Sequence, residues 1–130
     1  MRVVIDTNIL VSALWTAYGN PGKILDMVGL GKIKPCYDHR IISEYEEVLK
    51  RPKFMFSAKD IDGVLNRIKS KGFCIIAQES DRSFLDETDR AFYEVAVGCD
   101  AYLVTGNIKH YPSEPFIMTP SDFLKTFTFD

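Results

Sequence analysis

Four places in the chain put oxygen-bearing side chains beside a change of hydrophobic period: Asp6, Glu44, the pair Asp86 and Asp89, and Asn107. Asp6 ends the run Val3, Val4, Ile5, and apolar residues at helical spacing follow it. Short continuous apolar runs suit strands buried on both faces of a parallel sheet. Asp6 is therefore expected where a central strand ends and a helix begins, the edge at which open α/β sheets bind ligands. Hard oxygen donors are the ligands of magnesium and manganese. Carboxylates that converge without a cation repel one another, and some protonate. With a cation the same cluster can lower the pKa of a water and polarise a phosphate. Each acid taken singly has a plainer explanation, because Asp at a helix start is commonly an N-cap. The residues by themselves reach a candidate divalent-metal site and go no further.

The elements that must position these groups alternate. A strand from residue 2 leads into a helix over about 8–16, apolar nearly all round, which needs cover on more than one side from an outer helix layer or a second subunit. Asn20 is expected to cap the next helix, with Pro21 at its first position and Gly31 at its stop. Ile33–Tyr37 reads as the second strand, and Asp38 caps a helix from His39 to Lys50, ahead of Pro52. On that helix Ile41, Ile42, Tyr45, Val48 and Leu49 form one face. At about 100° per residue Glu47 points to solvent, and Glu44 and Glu46 lie on the two borders. Spacing does not choose between those two. Ser57 with Asp60 opens a helix that Gly72 stops, and Phe73–Ala77 reads as the third strand. An acidic connection then leads to a helix opened by Asp89, with Phe92, Val95, Ala96 and Cys99 as its stripe. Ala101–Val104 and Phe116–Met118 complete the strands, and Thr119 caps the last helix with Pro120 and Asp122 behind it. This alternation implies a parallel sheet covered by helices.

The chain has 130 residues, 46% of them hydrophobic, enough for one domain over residues 1–130 with a real core. The net charge of −2 is no basic footprint for nonspecific duplex binding. Cys36, Cys74 and Cys99 show no paired spacing, which argues for a reducing compartment and against zinc; each sits in or beside an apolar run and reads as a buried thiol. No signal segment precedes the first strand and no run reaches the length of a membrane span, so a cytoplasmic protein is expected.

The blocks VVIDTNILVSAL, SEYEEVLKRP and DETDRAFYEVAVGCDAYLVTGN, in that order, resemble the PIN-domain family from Val3 to at least Pro112. The resemblance implies a three-layer α/β/α sandwich around a mainly parallel five-stranded sheet. It implies a magnesium- or manganese-dependent ribonuclease of the small kind found as toxins in prokaryotic toxin–antitoxin pairs. Asp6, Glu44 and Asp89 match the family's catalytic acids, so Glu44 is preferred to Glu46. Asp86 matches an accessory acid and Thr105 the hydroxyl residue that hydrogen-bonds within the acidic site. Asn107 stands where many members carry a fourth aspartate. Its amide oxygen can still ligate a metal but adds no charge, which leaves a second metal weakly held or dependent on RNA phosphates. Single-stranded RNA, a cognate antitoxin and a second copy of the chain are the partners implied.

Other residues divide between plain and functional roles. Asn8, in the matching DTN, either orients Asp6 or is a surface amide. Lys109 and His110 are candidates for phosphate contacts, against a solvated loop. Arg51, Lys53, Phe54 and Phe56 could form an RNA rim, although ordinary packing suits the two Phe residues better. Trp15 reads as core or as a dimer contact. Two other functions stand beside the ribonuclease. A PIN fold that binds RNA or protein without cleaving is favoured only by Asn107. A phosphatase of the haloacid-dehalogenase type, with Asp6 as nucleophile, needs a second Asp where Asn8 stands.

Overall fold

The computed structural model describes residues 1–127; the domain expected over 1–130 runs past them. Five parallel strands form one sheet in the order β3-β2-β1-β4-β5: β1 (Arg2–Ile5), β2 (Lys34–Tyr37), β3 (Phe73–Cys74), β4 (Tyr102–Val104) and β5 (Ile117–Met118). Among the described residues, six α-helices complete the α/β/α arrangement: α1 (Thr7–Trp15), α2 (Asn20–Gly29), α3 (His39–Leu49), α4 (Ala58–Lys71), α5 (Thr88–Cys99) and α6 (Pro120–Thr126). The central strand β1 pairs with β2 through Val3↔Pro35 and with β4 through Val4↔Leu103. Val3, Val4 and Ile5 are fully buried, as a strand covered on both faces requires.

Strand order decides where a site can form. From β1 the chain moves outward to β2 and β3, then crosses back to place β4 and β5 on the other side of β1. The reversal opens a crevice at the carboxyl ends of β1 and β4, the usual place for ligands in such sheets. Asp6 follows β1 and Thr105 follows β4.

Local chemistry sets most helix ends. Asp38, Ser57 and Thr119 each accept a backbone N–H three residues on, as their caps were expected to do. At α2 the cap differs: Gly19 takes the position without a side-chain bond, and Asn20 and Pro21 are already helical. Gly31 lies at φ 76°, in the left-handed region that suits glycine beyond a helix end. Gly72 ends α4 where a Cβ would lie 2.1 Å from the Pro35 carbonyl, so only glycine lets α4 turn this tightly onto β2.

The expectations for the third strand, Cys74 and Trp15 are corrected. The third strand stops at Cys74 instead of Ala77. It is an edge strand whose only neighbour, β2, gives way to α3 after Tyr37, so beyond the Ile75 N–H to Tyr37 carbonyl bond no partner remains. Cys74 is consequently exposed, whereas Cys36 and Cys99 are buried; all three are free thiols. Trp15 is 63% exposed and so is no core residue. The apolar α1 finds its cover within the chain, against α2 and α3, and its composition alone therefore no longer argues for a second subunit.

Candidate active site

Asp6 sits between β1 and α1, and its two carboxylate oxygens have different work. Oδ1 accepts the Thr7 N–H at 2.8 Å and caps α1. Oδ2 accepts the Thr105 hydroxyl at 2.6 Å and the Tyr111 hydroxyl at 3.1 Å. The Thr105 bond crosses the crevice between β1 and β4, and Thr105 Oγ1 in turn accepts the Asn107 N–H at 3.0 Å. Thr105 thus hydrogen-bonds within the acidic cluster as expected. Asn8 makes no hydrogen bond to Asp6 among the described residues: its amide oxygen accepts the Gly106 N–H at 3.3 Å and braces the loop that carries Thr105 and Asn107.

The α5 acids separate in the same way. Asp86 Oδ1 accepts both the Thr88 N–H, at 3.0 Å, and the Thr88 hydroxyl, at 2.8 Å. Asp86 therefore serves the start of α5, and these bonds, the backbone one first, hold its carboxyl below the usual range. Asp89 was expected to open α5 but lies one residue inside it, and it does no capping. It is buried all the same, and its Oδ2 has no hydrogen-bond partner. His110 Nδ1 approaches that oxygen to 3.5 Å, an ion-pair distance when the imidazole is protonated but beyond a good hydrogen bond. On α3, Glu44 is half-buried, while Glu47 pairs with Arg51 at 3.2 Å and Glu46 meets Lys69 at 3.8 Å on the far border.

Asp6, Glu44, Asp86, Asp89, Asn107 and His110 line one cavity of about 310 Å³, and Asn8 and Phe54 share its wall. Burial pushes the Asp6 carboxyl up, against its three hydrogen bonds. Glu44 is raised by burial and then by Glu47, with Asp86 and Asp6 adding repulsion. Asp89 is pushed up to about 6 by burial and by the charges of Asp6 and Asp86, which His110 offsets in part. The acids thus repel one another across the cavity. Lys109, Arg51 and Lys53 are all exposed and none of them lines the cavity; Arg51 is tied to Glu47, and Lys53 lies over the ring of Phe54, which does line it. A second cavity, of about 320 Å³ between α1, α2 and α4, carries two acids and two bases and no such cluster.

Two tyrosines of this site escaped the sequence. The buried Tyr111 hydroxyl lies 3.1 Å from Asp6 Oδ2 and 3.5 Å from Asp89 Oδ1, bridging the acids of two elements. Burial and both carboxylates push its own pKa far up, so it stays a neutral donor. The buried Tyr45 hydroxyl donates to the Ile5 carbonyl and ties α3 to the end of β1. Tyr45 was legible only as part of an apolar stripe, and Tyr111 only as a loop residue.

Among the described residues, no three His, Cys, Asp or Glu side chains are positioned as they stand to hold a metal. The donor set nevertheless fits a hard cation. It consists of oxygens, it is electrostatically unsatisfied, and Asp89 Oδ2 is a buried acceptor without a good hydrogen bond, His110 Nδ1 standing 3.5 Å away.

Two measurements follow. Tyr111→Phe is expected to lower the stability of the metal-free protein by about 1–2 kcal/mol, since it removes the one donor shared by the acids; denaturant unfolding reads the change. The second uses pH. Because the folded pKa of Asp89 is raised from 3.8 to about 6, its contribution to stability is full below 3.8 and is lost as pH rises through about 6. Asp89→Asn is therefore expected to gain on the wild type between pH 4 and pH 7, by on the order of 2 kcal/mol without metal. Parallel pH–melting curves would show instead that Asp89 titrates normally.

The fold and site define an α/β/α protein with an acidic crevice at the switch point of its sheet. A family model described as PIN domain matches residues 2–109. The chain belongs to the PIN-domain family, whose members are generally nucleases that use divalent metals. An uncharacterized protein of Methanocaldococcus jannaschii, MJ1680, is 32% identical over 110 residues, which is 82% of this chain and 71% of the relative.

Proposed function

We propose that the protein is a magnesium- or manganese-dependent endoribonuclease that hydrolyses phosphodiester bonds of single-stranded RNA. The observation that carries this reading is the shared cavity: four acids from three separate parts of the chain line it, and the buried Asp89 Oδ2 makes no good hydrogen bond. Asp6, Glu44 and Asp89 would hold the cation, with Asp86 and Asn107 beside them. When bound, the cation supplies a lowered pKa for water and neutralises charge on the phosphate. Thr105 and Tyr111 fix the Asp6 carboxylate, and Asn8 keeps the Gly106 loop in place. His110 lines the cavity and would contact a phosphate of the strand. Water is the nucleophile, and no covalent enzyme intermediate is required.

The test is cleavage of a single-stranded RNA with manganese, with and without EDTA. Cleavage that EDTA abolishes and excess manganese restores is the expected result; equal cleavage in EDTA would end the metal assignment. One observation favours a second reading, an RNA-binding PIN fold without activity: Asn107 gives the cavity an amide where a further acid would add charge. RNA retained but never cut would select it.

The toxin role and its antitoxin, the homodimer and the cytoplasmic location belong to this proposal. The family resemblance supports the first three, and three free cysteines support a reducing compartment. No helix among the described residues is long and apolar enough to cross a membrane. Growth arrest on induced expression tests the toxin, and light scattering at micromolar concentration tests the dimer.

A further inference from the structure

Trp15 is the chain's single tryptophan, and it is 63% exposed at the end of a helix that buries five of its nine residues. It is nevertheless held in place. Its ring meets Phe54 at 5.3 Å and 73°, and Phe56 at 6.1 Å and 62°. Phe54 and Phe56 stack on each other at 5.5 Å with their planes 13° apart. The loop beneath them is a hydrogen-bonded turn. Pro52 opens a 3-10 turn, the Phe54 N–H reaches the Arg51 carbonyl, and Met55 closes the turn in the left-handed region at φ 56°.

Phe54 and Phe56 are partly buried against the core, as ordinary packing predicted, and Trp15 is the exposed member of the group; three features say what such a group would receive. The cluster is continuous with the acidic cavity: Phe54 lines it, and so do Val11 and Ser12, one helical turn before Trp15. A cation stands beside the rings, with Lys53 Nζ 5.1 Å from the Phe54 centroid and no carboxylate paired with it among the described residues. The rings are preorganised, so a flat ligand could stack there without first ordering the loop. An unpaired base in a strand offers a free π face together with a phosphate for the neighbouring cation, and the acidic cavity alongside is where the strand would run on.

We propose that Trp15, Phe54 and Phe56 form a stacking platform for an unpaired RNA base, next to the cavity in which the strand is cut. The platform rests on the ribonuclease reading for its ligand class but not for its test. It takes a base one or more nucleotides from the scissile phosphate, and Lys53 meets the adjoining backbone. The contact is tolerant of base identity, because every base has a π face.

Trp15 itself reports the contact, since stacking of a base quenches indole fluorescence. The whole chain is titrated with a short oligouridylate, and with a strand of the same length and charge that lacks bases. Both titrations are run in EDTA and again in calcium, and the strands are checked for cleavage afterwards. The expected result is quenching by the oligouridylate alone, with at least about fivefold weaker binding for the abasic strand. Phe54→Leu keeps an apolar side chain and removes a ring. It is expected to weaken oligouridylate binding by about fivefold or more while melting within a few degrees of the wild type. Trp15→Leu, followed by anisotropy of a labelled strand, gives the same comparison at an exposed position.

Equal quenching by the two strands, or binding unchanged in both variants, overturns the platform. So does a wild-type dimer that Trp15→Leu converts to monomer, which would make this face a contact between copies. Cleavage without base-dependent quenching leaves the nuclease reading standing and removes the platform. Quenching without cleavage does the reverse.

Discussion

Asp6→Asn is expected to abolish divalent-dependent RNA cleavage, by at least about a hundredfold, while the fold survives. The two side chains have the same shape, and Asn caps a helix about as well as Asp, so the Oδ1 bond to the Thr7 N–H is kept. At the other oxygen an amide replaces a carboxylate that accepts two hydroxyls. The Thr105 and Tyr111 hydroxyls can rotate to accept from it. What is lost is one negative charge at the place where a cation would be held.

The stability of the variant separates this from a capping role. Burial raises the Asp6 carboxyl, and the Asp6 charge is among the causes that raise Asp89. A raised folded pKa means that ionisation works against the fold as pH climbs through it. Without metal at neutral pH, Asp6→Asn should therefore be as stable as the wild type or more so. With manganese the order should change, because the stabilisation a ligand confers follows its affinity. Melting curves with and without manganese, beside the cleavage assay, read both effects. If Asp6 were only a cap, neither activity nor the manganese response would move, and cleavage at the wild-type rate would remove Asp6 from the site.

Glu94→Gln is expected to lower stability by about 3 kcal/mol and to loosen the acidic loop ahead of α5. Glu94 is a carboxylate with 1% of its side chain exposed, on the helix that also carries Asp89. Its Oε1 accepts Arg40 Nη1 at 2.7 Å and its Oε2 accepts the Ser80 N–H at 2.6 Å, with Arg90 3.6 Å away. Arg40 also pairs with Asp38, the cap of α3, at 2.8 Å. Arg90 extends the clamp through the Ser80 carbonyl at 2.7 Å and the Arg82 carbonyl at 3.0 Å. One chain of charge therefore fastens α3, α5 and the loop that leads to Asp86.

Burial by itself would raise Glu94, but the Ser80 N–H and Arg40 outweigh it and hold the carboxyl below its usual value. Removing one partner of a buried pair costs about 3–5 kcal/mol. The lower end applies, because Arg40 is half-exposed and water can recover it. The sign with pH is opposite to that of Asp89. A lowered pKa gives stability that is present above the unfolded value of 4.5 and lost as pH falls through the folded one. The gap between wild type and Glu94→Gln should thus narrow in acid. Chemical denaturation at pH 7 and at pH 4 measures it, and hydrogen exchange over residues 78–87 reads the loosened loop. A variant as stable as the wild type at pH 7 would mean that the network is solvated and does not hold the loop.

The sequence by itself determined the elements whose causes are local. Val3–Ile5 made a buried strand because β-branched residues suit that pleat, and Asp38, Ser57 and Thr119 capped helices because each side chain needs only a donor three residues away. The stripe on α3 left Glu44 at a border, and the PIN motifs chose it over Glu46. Tertiary structure decided the rest. Whether the apolar run Phe73–Ala77 pairs along its length depends on what lies beside it, and an edge strand whose one neighbour ends at Tyr37 cannot continue. Whether Trp15 is covered depends on the loop of Phe54 and Phe56, which no helical period in α1 encodes. Asp86 and Asp89 look alike in the sequence, yet one is spent on Thr88 and the other has a bare buried oxygen. Tyr111 meets Asp6, and Arg40 meets Glu94, only because the switch in strand order brings remote parts of the chain to one edge. Such contacts are set by the packing of whole elements, and a pattern that spans one or two turns carries no record of them.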